Sequence, residues 1–466
     1  MALMQYMSGL LFNFKDKRII RNIEQMVQKI VENKSIRIWS NAKDKAEFDR
    51  HKSLLDGSLK SVLDDEKISE ALQKNGVQAL QGKERLILLH DPCDIRKEYS
   101  RELEHLGKVR SLDNEIINGY STFNTIAIDE SSKKLQLLDL AVYSNGDPHY
   151  VTQEEFKQFQ KGILQKSDNQ QDRLRAEQIK QFIEEDTYLN LSRLTRRQLQ
   201  QTSELLKKDN PHLILTHVLD REFDANDNFS FIDKDLKDEF VIRMKLSRNS
   251  DQSAIDENTH KEQWIKLKDV AFAHRESFFF DKLLIKNKVY QQVQCLIEWD
   301  AYLIDDDTYT AVRINLLDRK GENIFKEPML LITNRSVSNA QQARYVYLTY
   351  LKRSKIEGVF KFLKNALGWE DFQVRDFESI KNIIALCFFI GGYFYEIEHS
   401  LTKNYVIQYI CELGDGKGKV TRYYFLKGLA KIITYKSVEQ FATQRSMSPD
   451  QFQEMISFAI GTSIND

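Results

Sequence analysis

Four side chains suited to chemistry on phosphates lie close together in the stretch from Tyr350 to Lys364. They are the phenol of Tyr350, the guanidinium of Arg353, the carboxylate of Glu357 and the ammonium of Lys364. The stretch has no Pro, and Gly358 is its only weak helix former, so it predicts one helix. At roughly 100° per residue, the four positions fall within about 60° of one another around the axis. This face suits a carboxylate that holds a metal beside groups that bind phosphates; the alternative is a solvated face with i,i+4 ion pairing.

Two apolar runs upstream each end on an aspartate. They are Leu86-Ile-Leu-Leu-His-Asp91 and Leu213-Ile-Leu-Thr-His-Val-Leu-Asp220. Short continuous runs of this kind predict strands that are buried on both faces. An aspartate at the end of such a strand reaches a site without being buried, so both are candidate site residues. Asp94 competes with Asp91, but Asp91 is preferred because it ends its run directly.

The spacing Y-x2-R-x3-E-x6-K resembles the signature of bacterial insertion-sequence transposases of the DDE type, in the insertion-sequence 4 group. His90-Asp-Pro-Cys-Asp-Ile-Arg resembles the first-aspartate block of that family, although Pro92 and Cys93 stand where the family often has Thr or Ser. Asp220-Arg-Glu-Phe-Asp matches the second block, and Phe240-Val-Ile-Arg-Met-Lys matches its continuation. The resemblance covers residues 85 to 395.

The resemblance implies a ribonuclease-H-like fold in which Asp91, Asp220 and Glu357 bind metal and are catalytic. In that fold the first strand and a parallel strand lie side by side, and a later helix crosses over them. Carboxylates suit Mg²⁺ or Mn²⁺ because these ions prefer oxygen ligands and keep positions open for water and phosphate. Two such ions, about 3.5–4 Å apart, stabilise the attacking and leaving oxygens of an in-line displacement.

The resemblance also implies partners and a reaction. The double-stranded DNA of the element ends would be cut by activated water, pass through a hairpin and be joined to target DNA by its 3′ end. Two ends must be held together, which implies a homodimer on DNA. Phosphates at the element end would be contacted by Tyr350, Arg353 and Lys364, and the DNA path would be lined by Arg243 and Lys245. The alternatives are a metal-dependent nuclease without strand transfer and a catalytically inert, transposase-derived DNA-binding protein; the intact acid triad argues against the latter.

Composition places limits on these interpretations. The chain has 466 residues, 41% of them hydrophobic, with a net charge of −1 and a pI of about 6.8, so DNA binding must depend on local basic patches. Four scattered cysteines without a CxxC spacing predict a reducing compartment and neither disulfides nor a zinc site. The N-terminus does not resemble a signal peptide, and the longest apolar run, residues 383–395, is too short to span a bilayer. We therefore expect a cytoplasmic, nucleoid-associated protein that does not enter a membrane.

The patterns predict an α/β protein with a mixed sheet, a β-strand insertion and helical lobes on either side. Strands at residues 122–128 and 135–143, joined by a short turn, predict an antiparallel start to the sheet, and a strand–helix–strand unit after Asp220 makes the sheet mixed. The run from Tyr423 to Ile433 offers one apolar face for self-association or for packing on its own core. The predicted regions are a helical DNA-binding lobe (1–80), the first part of the catalytic core (81–250), the β insertion (251–334), the second part of the core (335–395) and a helical C-terminal lobe for dimerisation (396–466).

Overall fold

The computed structural model describes residues 3–56, 63–255, 262–285, 288–304, 306–398 and 404–460. The chain is mixed α/β and divides into two compact units. One unit is formed by Met1–Ile68 with Lys361–Asp466, and the other by Ser69–Phe360. The candidate acids all belong to the second unit.

The helices cluster at both ends of the chain and between the strands. In chain order they are α1 (Leu3–Leu11), α2 (Lys17–Asn33), α3 (Ile38–Asn41), α4 (Lys45–Leu55), α5 (Asp65–Leu80), α6 (Gln153–Gln160), α7 (Gln170–Glu184), α8 (Leu191–Lys207), α9 (Asn226–Ser230), α10 (Ala340–Leu351), α11 (Ser354–Leu367), α12 (Phe377–Glu398), α13 (Tyr405–Leu413), α14 (Arg422–Gln444) and α15 (Pro449–Ile460).

The strands all lie in the Ser69–Phe360 unit. They are β1 (Arg85–Arg96), β2 (Gly107–Arg110), β3 (Ile116–Asp129), β4 (Leu135–Tyr143), β5 (Ile214–Leu219), β6 (Glu239–Arg243), β7 (Asn249–Ile255), β8 (Glu262–Lys266), β9 (His274–Ile285), β10 (Lys288–Ile304), β11 (Asp307–Leu317) and β12 (Met329–Thr333). β7 and β8 pair only with each other among the described strands, and the others form one sheet.

The main sheet has the order β2-β3-β1-β5-β6-β12-β11-β10-β9, with β4 also paired to β3. β1 is antiparallel to β3, and β3 to β4, which is the predicted antiparallel start. β1 is parallel to β5, and β5 to β6, so the sheet is mixed, as the sequence predicts. The strands predicted between residues 251 and 334 are present as β9, β10 and β11, and they extend the same sheet through β12.

Apolar side chains on β5, β6, β11 and β12 pack beneath the short helices that follow β5. Phe229 in α9 stacks against Phe240 in β6, with ring centroids 5.5 Å apart, and both side chains are fully buried. Tyr309 of β11 lies against the same pair. This cluster fixes the segment after Asp220 on the sheet, and thereby one of the candidate acids.

The unit formed by Met1–Ile68 and Lys361–Asp466 is organised around α12, which is buried along nearly its whole length. Phe389 packs against Tyr6 of α1 at 5.0 Å between ring centroids, and the indole of Trp369 donates a hydrogen bond to the carbonyl of Ile384. Of the described helices, α12 alone is long and apolar enough to cross a membrane, and 89% of its most apolar window is buried in the protein. That degree of burial is typical of the core helix of a soluble protein.

Helix α11 carries Gly358 at a position where a side chain would meet no described atom within 4 Å. We therefore expect Gly358→Ala to stabilise the protein by about 0.5–1 kcal/mol, because alanine loses less backbone entropy than glycine in a helix. Urea denaturation followed by circular dichroism measures the change. Gly428→Ala is the matched control: its Cβ would overlap the carbonyl oxygen of Ile410, so this variant should be destabilised. A loss of stability in Gly358→Ala would contradict the prediction.

Candidate active site

Asp91 and Asp220 lie on neighbouring parallel strands, at the point where their pairing ends. The β1–β5 ladder runs from Arg85↔Ile214 to Leu89↔Val218, two residues before Asp91. Asp220 directly follows β5. The expectation that Asp91 ends its strand and stays unburied is wrong: β1 continues to Arg96 because β3 still pairs with it, and Asp91 is only 9% exposed.

The expected single helix from Tyr350 to Lys364 is two helices, α10 and α11. Between them, backbone hydrogen bonds join residues that are three positions apart. The N–H of Arg353 donates to Tyr350 O at 2.9 Å, and the N–H of Ile356 donates to Arg353 O at 3.0 Å. The tight turn changes the direction of the chain where the signature residues lie. Tyr350 and Arg353 are anchored to acids on the sheet, and these tertiary contacts override a local sequence that contains no helix breaker.

The carboxylates of Asp91, Asp220 and Glu357 gather around the guanidinium of Arg353. Arg353 Nη1 lies 2.9 Å from Asp91 Oδ1, and Nη2 lies 2.7 Å from Glu357 Oε1 and 4.0 Å from Asp220 Oδ2. Residues separated by up to 266 positions along the chain thus meet at one cation. Within the described part of the chain, no three His, Cys, Asp or Glu side chains are arranged as a metal-binding group.

Asp220 has two further partners. The phenol of Tyr350 donates to its Oδ1 at 3.0 Å, and Nη1 of Arg243, at the end of β6, lies 3.8 Å from the same oxygen. Burial alone would raise the pKa of Asp220, but Arg353, the Arg221 backbone and Tyr350 outweigh it and lower the pKa. Burial, together with the nearby Asp220 charge, raises the pKa of Tyr350 to about 12, so Tyr350 is a hydrogen-bond donor at neutral pH.

Asp91 is the most deeply buried of the three acids. Burial raises its pKa to about 7, and although Arg353 opposes the change, the carboxylates of Asp220 and Glu357 add to it. Three acids therefore share a part-buried space with the guanidiniums of Arg353 and Arg243. A set of carboxylate oxygens fits a divalent cation such as Mg²⁺ or Mn²⁺ in donor chemistry and in charge.

Asp94, the competing candidate, lies three residues further along β1 and so on the opposite face of the sheet. Its carboxylate accepts hydrogen bonds from the backbone N–H of Arg110 at 3.1 Å and the hydroxyl of Ser121 at 3.2 Å. The structure thus brings Asp91, and not Asp94, to Arg353.

Lys364 and Lys245 are the two remaining predicted DNA contacts. Lys364 belongs to the unit formed by residues 1–68 and 361–466, where its Nζ lies 2.8 Å from Glu370 Oε1. Lys245 is exposed just beyond β6. It borders an open cleft of about 630 Å³ beside Asp220, which Arg221 and Arg243 also line. The cleft places cationic side chains next to the acids.

Two anchoring residues were not identified as such from the sequence. The carboxylate of Asp224 lies 2.6 Å from Arg248 Nη2 and accepts a hydrogen bond from the backbone N–H of Lys245 at 2.8 Å. This buried pair fastens the Asp220 loop to the chain that follows β6. The sequence carries no periodic signal for it, because the partners are joined only through the tertiary fold.

A buried polar network lies on the opposite face of the same strands. Nε2 of His90 lies 2.9 Å from Nδ1 of His217, whose Nε2 lies 3.1 Å from Asp238 Oδ2, and Asp238 also binds Ser203 and Lys207. The sequence-based interpretation of both histidines as structural agrees with these contacts. The network joins β1 to β5 directly behind the residues that carry Asp91 and Asp220.

Comparison of the sequence with models of known protein families and with curated proteins found no match.

The raised pKa of Asp91 predicts a pH-dependent effect of Asp91→Asn on stability. The pKa is about 7 in the folded protein, against about 3.9 in an unfolded chain, so the folded state binds more protons between these values. Stability then falls as pH rises from about 4 to 7. Asp91→Asn removes this penalty, and we expect a gain on the order of 2 kcal/mol at pH 8 that disappears near pH 3.

Denaturation in EDTA across this pH range measures the effect, and Asp94→Asn, on the same strand, is the control. An Asp91→Asn gain that is constant with pH, or equal to that of Asp94→Asn, would contradict the prediction.

Proposed function

We propose that the protein is a DDE transposase of an insertion sequence, which binds the ends of its element, cleaves the DNA and joins the 3′ ends to target DNA. One observation carries the proposal: Asp91, Asp220 and Glu357, distant along the chain and in the order of the family signature, converge on one cation. The sheet supports it as well. Two acids lie on a first strand and its parallel neighbour, and the third lies on a later helix, as a ribonuclease-H-like fold requires.

The three carboxylates are the residues that would hold Mg²⁺ or Mn²⁺, in one or two ions. Such ions lower the pKa of bound water and stabilise charge on the attacking and leaving oxygens. The chain's own part is to fix the acids: Tyr350 holds Asp220 through its hydroxyl, and the β1–β5 ladder holds both aspartates at one edge. Hydrolysis would break a P–O3′ bond and leave a 3′-hydroxyl. Its oxygen would attack a phosphodiester of the opposite strand, displace the 3′-oxygen there and close a hairpin, which a second hydrolysis would reopen before the 3′ end is joined to target DNA.

DNA contacts in this proposal come from the cationic cleft and from the signature residues. Arg243 and Lys245 lie along the cleft beside Asp220, where a phosphate backbone would pass close to the acids. Tyr350, Arg353 and Lys364 would contact phosphates at the element end. Because the net charge is −1, attraction to DNA must come from such local groups. The setting is the bacterial cytoplasm, without a membrane.

One observation favours a rival function, a catalytically inert DNA-binding protein derived from a transposase. The guanidinium of Arg353 stands among the acids, within 2.9 Å of Asp91 and 2.7 Å of Glu357. If it stayed there permanently, no metal would bind. A metal-dependent nuclease without strand transfer is distinguished from a transposase only by the products of the reaction.

We expect Glu357→Gln to abolish Mn²⁺-dependent cleavage while leaving DNA binding within about threefold, because the change removes a charged ligand but no cation. The probe is a linear fragment that contains the gene with its flanking DNA, incubated with Mn²⁺ or EDTA, with products separated on denaturing gels. Glu184→Gln, an exposed change in α7, is the matched control and should cleave normally. Cleavage by Glu357→Gln at the unmodified rate would exclude the proposed mechanism, and absence of cleavage by the unmodified protein would favour the inert alternative.

Assembly on DNA gives a second prediction. The apolar face of α14 packs on its own unit, since Phe425 and Leu426 are buried. Helix α13 instead exposes Tyr405, Tyr409 and Leu413, at 70%, 64% and 45%, on one face. We expect two chains per complex with end DNA, measured by light scattering, because two ends must be joined together. Tyr409→Glu should weaken assembly and Phe12→Glu, at an exposed site, should not. A strand-transfer-competent complex with one chain would rule the dimer out.

A further inference from the structure

Arg353 binds the same carboxylate oxygens that the proposed metal would need. Its two terminal nitrogens lie 2.9 Å from Asp91 Oδ1 and 2.7 Å from Glu357 Oε1, and 4.0 Å from Asp220 Oδ2. The planar guanidinium has five donors and so reaches acids in different directions at once. Its side chain is 17% exposed, so it is not completely enclosed by the protein.

We propose that Arg353 is a latch: its guanidinium holds the three carboxylates and excludes a divalent cation until a DNA phosphate takes the guanidinium over. The inference rests on the proposed function, since it assumes that the acids are a metal site. It assigns to Arg353 the coupling of metal binding to DNA binding, in addition to phosphate contact.

The three carboxylates cannot bind the Arg353 guanidinium and a divalent cation at the same time, for reasons of both size and charge. A divalent ion such as Mg²⁺ binds oxygens at 2.0–2.1 Å in a compact shell. The carboxylates grouped around Arg353 do not form such a shell in the described structure. A guanidinium and a dication at the same oxygens would also repel each other at short range. The acids must therefore release Arg353 before they close on a metal.

A DNA phosphate is the group that would most readily draw the guanidinium of Arg353 away from the carboxylates. The same planar fork that binds carboxylates binds phosphate oxygens by two parallel hydrogen bonds. DNA and metal then promote each other's binding: DNA removes the latch, and the metal, by neutralising the acids, frees Arg353 for DNA. Linkage requires the two effects to be equal in size.

Arg243 is a matched comparison because it places a positive charge beside Asp220 but does not bridge several carboxylates. Its Nη1 lies 3.8 Å from Asp220 Oδ1, and among the described side chains Asp220 is the acid with which it forms an ion pair. Removing Arg243 takes away a positive charge beside the cluster but leaves the Arg353 contacts in place. If Mn²⁺ binding improves much more in Arg353→Gln than in Arg243→Gln, the cause is removal of the group that occupies the metal site. A similar improvement in both variants would reflect only the loss of one positive charge.

The test is Mn²⁺ binding to the DNA-free protein, measured by calorimetry and by the loss of the free-ion electron paramagnetic resonance signal. We expect Arg353→Gln to bind Mn²⁺ at least tenfold more tightly than the unmodified protein. The affinity of Arg243→Gln for Mn²⁺ should rise by less than threefold. A 20-base-pair duplex should tighten Mn²⁺ binding to the unmodified protein but not to Arg353→Gln. Unchanged or weaker Mn²⁺ binding by Arg353→Gln would overturn the latch.

Two further variants keep the outcomes separate. If Arg353→Gln does not fold, Arg353→Lys replaces it: an ammonium bridges fewer acids, so Mn²⁺ should still bind more tightly, and equal or weaker binding overturns the proposal. Glu357→Gln reports on the metal site itself. If the unmodified protein and Arg353→Gln both bind no Mn²⁺, or bind it independently of Glu357, the proposed function fails; if binding needs Glu357 but weakens in Arg353→Gln, only the latch fails.

Discussion

The attraction of three carboxylates to the guanidinium of Arg353 is the interaction on which the centre of this protein depends. Two unit charges 4 Å apart interact with about 4 kcal/mol at an effective dielectric constant of 20. The free energy of unfolding of a domain is only about 5–15 kcal/mol. Asp91, Asp220 and Glu357 share one guanidinium, so their ionised forms depend on that cation. The charge of Arg353 opposes, without cancelling, the rise that burial gives to the pKa of Asp91.

The framework that holds the acids acts from both faces of the sheet. On one face Tyr350 and Arg353 bind the acids directly. On the other, the hydrogen bond between His90 and His217 ties β1 to β5, and Asp238 extends the network. Burial lowers the pKa of His90 well below its usual value, so its ring is neutral and adds no charge behind the cluster. The strands are thus held by the His90–His217–Asp238 network on one face and by the contacts of Tyr350 and Arg353 on the other.

The sequence predicts the parts of the fold that local patterns determine. Continuous apolar runs identify β1 and β5, and the i,i+4 spacing of Arg353 and Glu357 predicts their ion pair. Three features could not be predicted in this way. The break between α10 and α11 follows from the anchoring of Tyr350 and Arg353, not from a helix breaker. β1 continues past Asp91 because β3 still pairs with it. Asp224 pairs with Arg248, a partner that only the folded chain brings near.

The choice of arginine at the centre has a consequence for how such a protein would meet DNA. A guanidinium that is bound to acids offers little charge to an approaching phosphate, so first contact must come from cations that are free of the cluster. Lys245 and Arg221, exposed along the cleft, are placed for that role. Contacts of this kind would bind phosphate without reading sequence, whereas engagement of Arg353 would require a phosphate held beside the acids themselves. A chain with a net charge of −1 would in this way bind DNA weakly in general and commit its central cation only where the backbone is correctly placed.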